Sequence, residues 1–222
     1  MAAIVDQAST KPAAGRPRTR LTPDERQRRL LEVAVEEFAV APYEQVRVAD
    51  VAERAGVSKA LLFRYFGTKR ELYLECVRTD SAELAKAVDI DPTLPASERF
   101  PVALEVLLEF IERRPYSIPS RPAGDLRRHK QAVGEIARIN DQLVSRIIER
   151  MGVGEGNPEL RLAVESWLLF ARTSARRWTE TRPFPRQRLI DLQVAAFRAV
   201  AAEALGVEAR PTPRDGGPPF LP

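Results

Sequence analysis

The chain is nearly devoid of the side chains that build disulfides, metal sites and nucleophile–base pairs: its 222 residues include one cysteine, Cys76, and one histidine, His129. A lone cysteine forms no intrachain disulfide and no cysteine-based metal cluster, and its place among Leu72, Tyr73 and Val77 reads as a small buried hydrophobe. His129 lies amid Arg127, Arg128 and Lys130, which points to a solvated face, and no partner stands at metal-ligand spacing from it. No Ser/His/Asp set, glycine-rich phosphate loop or histidine-paired glutamate cluster occurs, so an enzyme is not indicated and no cofactor is expected. Long apolar runs are missing as well. Nothing approaches the roughly 18 residues of a membrane-spanning helix, and the first twenty residues lack the apolar core of a signal peptide. The expectation is a cytoplasmic protein with no membrane partner.

Charge is present and unevenly placed. Residues 1–70 hold 13 Lys and Arg against 9 Asp and Glu, while residues 71–222 hold 22 of each, so the net +4 resides in the N-terminal third. A basic surface neutralises phosphates and releases counterions, which gives DNA affinity that falls steeply with salt.

That third also contains the most specific pattern of the chain, Val48 to Tyr65, VADVAERAGVSKALLFRY. Two short helices cross closely only where side chains are small and the connecting turn tolerates an unusual backbone. Ala52 supplies the small contact, and Gly56 supplies a helix end with positive φ. Ser58 follows as a cap for the next helix. Val48, Val51 and Ala55 recur at i, i+3 and i+7, and Val57 and Leu62 provide the facing surface. This is a helix-turn-helix connection, although any tight helical hairpin needs the same three devices.

The flanking residues extend the pattern. Leu30, Ala34 and Phe38 look like the buried face of a preceding helix, and Phe66, Lys69 and Leu72 continue the run. Over about residues 24 to 78 the chain resembles the TetR family of bacterial transcriptional regulators. It departs from that pattern at Pro42, Arg47, Ala60 and Leu61, and at Phe63, where a phosphate-contacting tyrosine is usual.

The resemblance implies an all-α fold. An N-terminal three-helix helix-turn-helix unit (23–68) follows a disordered basic arm (1–22). A C-terminal helical ligand-binding and dimerisation domain (69–206) precedes a disordered tail (207–222). It also implies site residues. Lys59, Ala60, Leu61 and Arg64, behind the cap Ser58, are expected where side chains reach base edges: Arg64 towards guanine, Leu61 towards a thymine methyl. Arg47, Tyr65 and Lys69 read as phosphate contacts, with packing against the first helix as the other role open to Tyr65. In the arm, Gly15-Arg16-Pro17-Arg18 is similar to an AT-hook core, whose arginines Arg16 and Arg18 enter a narrow minor groove; a basic tail touching phosphates fits equally well.

Downstream only helical periodicity is found. Thr22 or Asp24 can cap the first helix, with Pro23 in its first turn. The fourth helix runs from about Lys69 towards Val88, and the fifth, about Ser97 to Arg113, gathers Phe100, Leu104, Leu107, Leu108 and Ile111 on one side. Pro115 to Pro122 must be a loop or a broken turn. A sixth helix extends from about Gly124 to Met151 with Val133, Ile136, Ala137, Val144, Ile147 and Ile148 as its apolar set. Two more span about Pro158 to Thr181 and Pro185 to Leu205. Trp167 and Trp178 share a face, and Ala195, Ala196, Ala199, Ala201 and Ala204 permit close helix approach. By resemblance these last helices form the dimer interface; the alternative is that the tryptophans are core of a single subunit. Phe110, Tyr116, Trp167 and Phe170, with Asn140 as an orienting amide, are the candidates for a small-molecule pocket, though each also fits as core.

The combined reading is a homodimeric regulator, a repressor, that binds an inverted repeat of operator DNA and is released by a small-molecule effector. The alternative is a DNA-associated protein-interaction module with no effector, which would bind DNA without any ligand effect.

Overall fold

In the computed structural model the described residues are 22–207, apart from 92, 120, 123 and 155 and the side chains of Ala96 and Ser97. The arm with Arg16 and Arg18, and the tail beyond Val207, lie outside them. Among the described residues all regular structure is helical: α1 (Pro23–Val40), α2 (Val48–Arg54), α3 (Lys59–Phe66), α4 (Lys69–Ala87), α5 (Ala96–Arg113), a short 3₁₀ turn (Gly124–Arg128), α6 (Lys130–Arg150), α7 (Pro158–Thr181) and α8 (Arg186–Leu205).

Local chemistry sets most of these boundaries. Thr22 caps α1, its hydroxyl accepting from the Glu25 N–H while the Glu25 carboxylate accepts from the Thr22 N–H, and Pro23 occupies a position that needs no donor. Thr68 and Glu71 repeat this reciprocal pair at the start of α4. Gly56 turns the chain between α2 and α3 at φ +69°, and Ser58 then accepts from the Leu61 N–H.

Two apolar cores result. The first gathers Leu30, Ala34 and Phe38 of α1, Val51 and Ala52 of α2, Leu62 and Phe66 of α3, and Leu72, Tyr73 and Cys76 of α4; Leu126, Ile136 and Ile139 join it from the 3₁₀ turn and α6. The second fills the space between α5, the far half of α6, α7 and α8, around Leu108, Ile148, Val164, Trp167, Trp178 and Ile190. The helix expected from Gly124 is interrupted, because the 3₁₀ turn drives Leu126 inward before α6 begins at Lys130. Its buried stripe is consequently Ala132, Ile136, Ile139, Val144 and Ile148, and Val133 and Ala137 face outward.

Both tryptophans are internal to the subunit. The indole of Trp167 donates to the Gln193 carbonyl at 3.0 Å and that of Trp178 to the Phe184 carbonyl at 2.9 Å, which ties α7 to α8 and to the turn between them. The outward side of these helices instead shows Leu162, Phe170, Leu192 and Val200, with Ala195 and Ala199 between. No helix among the described residues is long and apolar enough to cross a membrane.

Candidate nucleic-acid interface and effector cavity

The exposed side of α3 follows from which residues its core takes. Leu62 and Phe66 point inward, so Lys59, Ala60 and Arg64 stand in solvent at the start and middle of the helix, with Leu61 at their margin. Phe63 is half-buried, and the Lys59 ammonium lies 5.5 Å from its ring centre, which steadies a side chain aimed outward. Tyr65 is half-buried against the first core, its ring 6.4 Å from that of Phe66. Arg47 is exposed at the start of α2, 3.8 Å from Asp50. Arg54 at the other end of α2 binds Glu36 and, at 2.6 Å, Glu37, which fastens this helix to α1.

Lys69 is placed differently from a free phosphate ligand. Its ammonium sits 4.4 Å from the Tyr43 ring centre and donates to the Glu44 carbonyl at 3.5 Å, and partial burial lowers its pKa. Lys69 therefore ties the start of α4 to the α1–α2 loop. Behind it Phe38, Tyr43 and Tyr73 form a ring cluster with centroids 4.9 to 6.1 Å apart.

That cluster borders a cavity of about 500 Å³. Tyr43, Glu44 and Tyr73 form one wall, and Phe110, Tyr116 and Arg114 from the α5 end form another. The Tyr116 N–H donates to the Ala39 carbonyl at 3.0 Å, so the segment after α5 is tied to the end of α1. Arg114 also binds Asp80 at 2.5 Å and Glu83 at 2.6 Å on α4. Burial raises the Asp80 carboxyl to about 6, despite the opposing pull of Arg114. A second cavity of about 730 Å³ is mostly apolar, with Phe100, Leu104, Ile147 and Trp167 in its walls.

Of the pocket candidates, Phe110 and Tyr116 therefore meet at the first cavity and Trp167 at the second. Phe170 lines neither and stands on the outer face of α7. Asn140 is half-buried behind the walls; its amide donates to the Ile136 carbonyl at 3.0 Å and its carbonyl accepts from Arg172 at 2.6 Å. Sequence reasoning missed Arg172 itself, which lies in the walls of both cavities. Its mark in the sequence was a cation in the apolar register of α7, four residues after Leu168 and three before Ala175.

Residues 30–76 match the model of the tetR family of bacterial regulatory proteins. The HTH-type transcriptional activator FasR of Mycolicibacterium smegmatis is 36% identical over 105 residues, which is 46% of this chain and 48% of FasR. The HTH-type transcriptional regulator LuxR of Vibrio harveyi is 36% identical over 104 residues, 45% of this chain and 50% of its own. The chain thus spans about half the length of these curated relatives. A tetR-family transcriptional regulator from Streptomyces coelicolor shares the fold, with TM-score 0.69 at 24% identity over 84% of each chain.

Proposed function

The chain carries the DNA-binding domain of the TetR family of bacterial regulators, and on that premise we propose that it works as a cytoplasmic homodimer that reads an inverted repeat and is released by a small molecule. In this reading residues 23–68 hold the reading helix and residues 69–206 sense the effector and dimerise. Where the operator overlaps a promoter the outcome is repression. The relative FasR is named an activator, so operator position decides the sign.

The observation that carries the reading is the shared cavity. Tyr43, Glu44 and Tyr73 belong to the α1–α4 side and Phe110 and Tyr116 to the α5 side, so whatever fills that space bears on the placement of α3. Coupling requires only that the effector bind the DNA-incompetent arrangement better than the competent one. Dimerisation is supported by the outward Leu162, Phe170, Leu192 and Val200, an apolar face on α7 and α8 with small alanines between. The same face would suit a different protein partner, which is the specific ground for the interaction-module alternative.

Arg64, Leu61 and Lys59 reach base edges in this proposal, Arg47 contacts phosphate, and Lys69 holds the frame. The test is binding to a selected inverted repeat and to the same repeat with half a helical turn inserted between its halves. Two-fold recognition requires the insertion to abolish tight binding, because two reading helices must enter successive major grooves about 34 Å apart. Indifference to spacing would refute it.

A further inference from the structure

Arg172 is 8% exposed, yet no carboxylate among the described residues offsets its charge. Its Nη1 donates to the Asn140 carbonyl at 2.6 Å, and its Nη2 is buried with no protein partner. A buried guanidinium normally has an anion, since removing an unpaired charge from water is costly. With nothing to offset it, burial lowers the pKa of Arg172 to about 10. The position in the fold is equally specific: the two cavities adjoin, and Arg172, Leu84 and Leu107 stand in the walls of both.

We propose that Arg172 anchors the carboxylate of an amphipathic effector whose apolar body lies in the 730 Å³ cavity beside Leu104, Ile147 and Trp167. This deepens the ligand-responsive reading and rests on it. Asn140 already commits one side of the guanidinium and orients it, and its own amide is fixed by the Ile136 carbonyl at 3.0 Å. One singly charged carboxylate matches the one buried cation of that wall, the other arginines there, Arg99, Arg146 and Arg150, being exposed, whereas a phosphate monoester would bring a second charge to the buried end. Because Nη2 has no surface of its own, seating the carboxylate requires the guanidinium to swing toward the cavity it lines.

The test uses the full chain off DNA, with dodecanoate, dodecanol and dodecyl phosphate as probes and the Trp167 emission and calorimetry as readouts. Arg172→Met keeps an unbranched side chain that fills the stem's space and removes the buried charge, so it should melt no lower than the wild type, which separates binding from folding. The proposal requires dodecanoate to bind at least about tenfold more tightly than dodecanol, a preference lost in Arg172→Met while dodecanol affinity is unchanged. Equal binding of acid and alcohol, tighter binding of dodecyl phosphate, or no binding of any probe would overturn it. So would a preference that survives Arg172→Met and disappears in a variant of the exposed Arg146, which lines the same cavity. Repeating the titrations with operator present separates the two levels. Release of DNA by dodecanol as readily as by dodecanoate keeps the regulator and removes the carboxylate site; Arg172-dependent binding that leaves DNA bound keeps the site and removes the regulator.

Discussion

The two halves of the molecule solve the same packing problem to different degrees. In α1 to α4, Thr22, Ser58 and Thr68 each satisfy the helix they open, and the rings of Phe38, Tyr43 and Tyr73 close on one another. In α5 to α8 Asn157 caps α7, but Pro95, His129 and Pro185 precede their helices without a side-chain cap; a charge without an ion partner lies inside, and two cavities open between this half and α4. The difference suits the proposed ligand-responsive regulator. A helix presented to base edges has to hold its position to a fraction of an ångström, while a domain that answers a ligand needs space and an interior that a ligand can improve.

The contrast can be broken most severely at Phe38. Phe38→Ala removes the centre of the ring cluster and should cost about 3–5 kcal/mol of unfolding free energy, read by denaturant titration. A loss below about 1 kcal/mol would mean that the first half is no tighter than the second.

Asp80 sharpens the comparison at the seam between the halves. Burial raises its carboxyl to about 6, above the unfolded value of about 4, so folding favours the protonated form. Its stabilising contribution is full below about pH 4 and is lost as pH rises through about 6. Relative to Asp80→Asn, the wild type should therefore lose on the order of 2 kcal/mol between pH 4 and 7. Parallel pH profiles for the two proteins would show that the Asp80–Arg114 pair does not titrate with folding.

Smaller effects separate base reading from framing. Arg64→Ala should weaken specific binding by about 1–3 kcal/mol and nonspecific binding by less, measured by anisotropy on both DNAs. Lys69→Ala should weaken the two equally, with about 0.5–1 kcal/mol of stability lost through Tyr43. The reverse pattern would exchange their roles. The smallest effect belongs to Arg47. Its exposed pair with Asp50 contributes little to stability, so Arg47→Ala should leave the melting point in place and reduce the slope of log affinity against log salt by about 1.

The reading half was legible because its determinants are local: a glycine at positive φ, a serine cap and a lysine after Thr68 act within a few residues of themselves. The identity of Lys69 was legible in this way, but its tether to the Glu44 carbonyl, 25 positions away, was not. The α5 to α8 half resisted because α7 is apolar on two sides. Periodicity placed Trp167 and Trp178 together without saying that their face is internal, and it gave Phe170 to a pocket although that ring faces outward. Arg172 was hidden for a related reason. A charged residue reads as surface, and only the packing of α7 against α6 shows it buried on Asn140.

The central claim is that this chain reads a two-fold DNA site. It is tested most directly by incubating the purified protein with sheared genomic DNA, raising salt until nonspecific complexes dissociate, and sequencing what stays bound. The account predicts one enriched inverted repeat whose half-sites are spaced by whole helical turns. Loss of all DNA without enrichment at any salt would contradict it and leave the helix-turn-helix as scaffold.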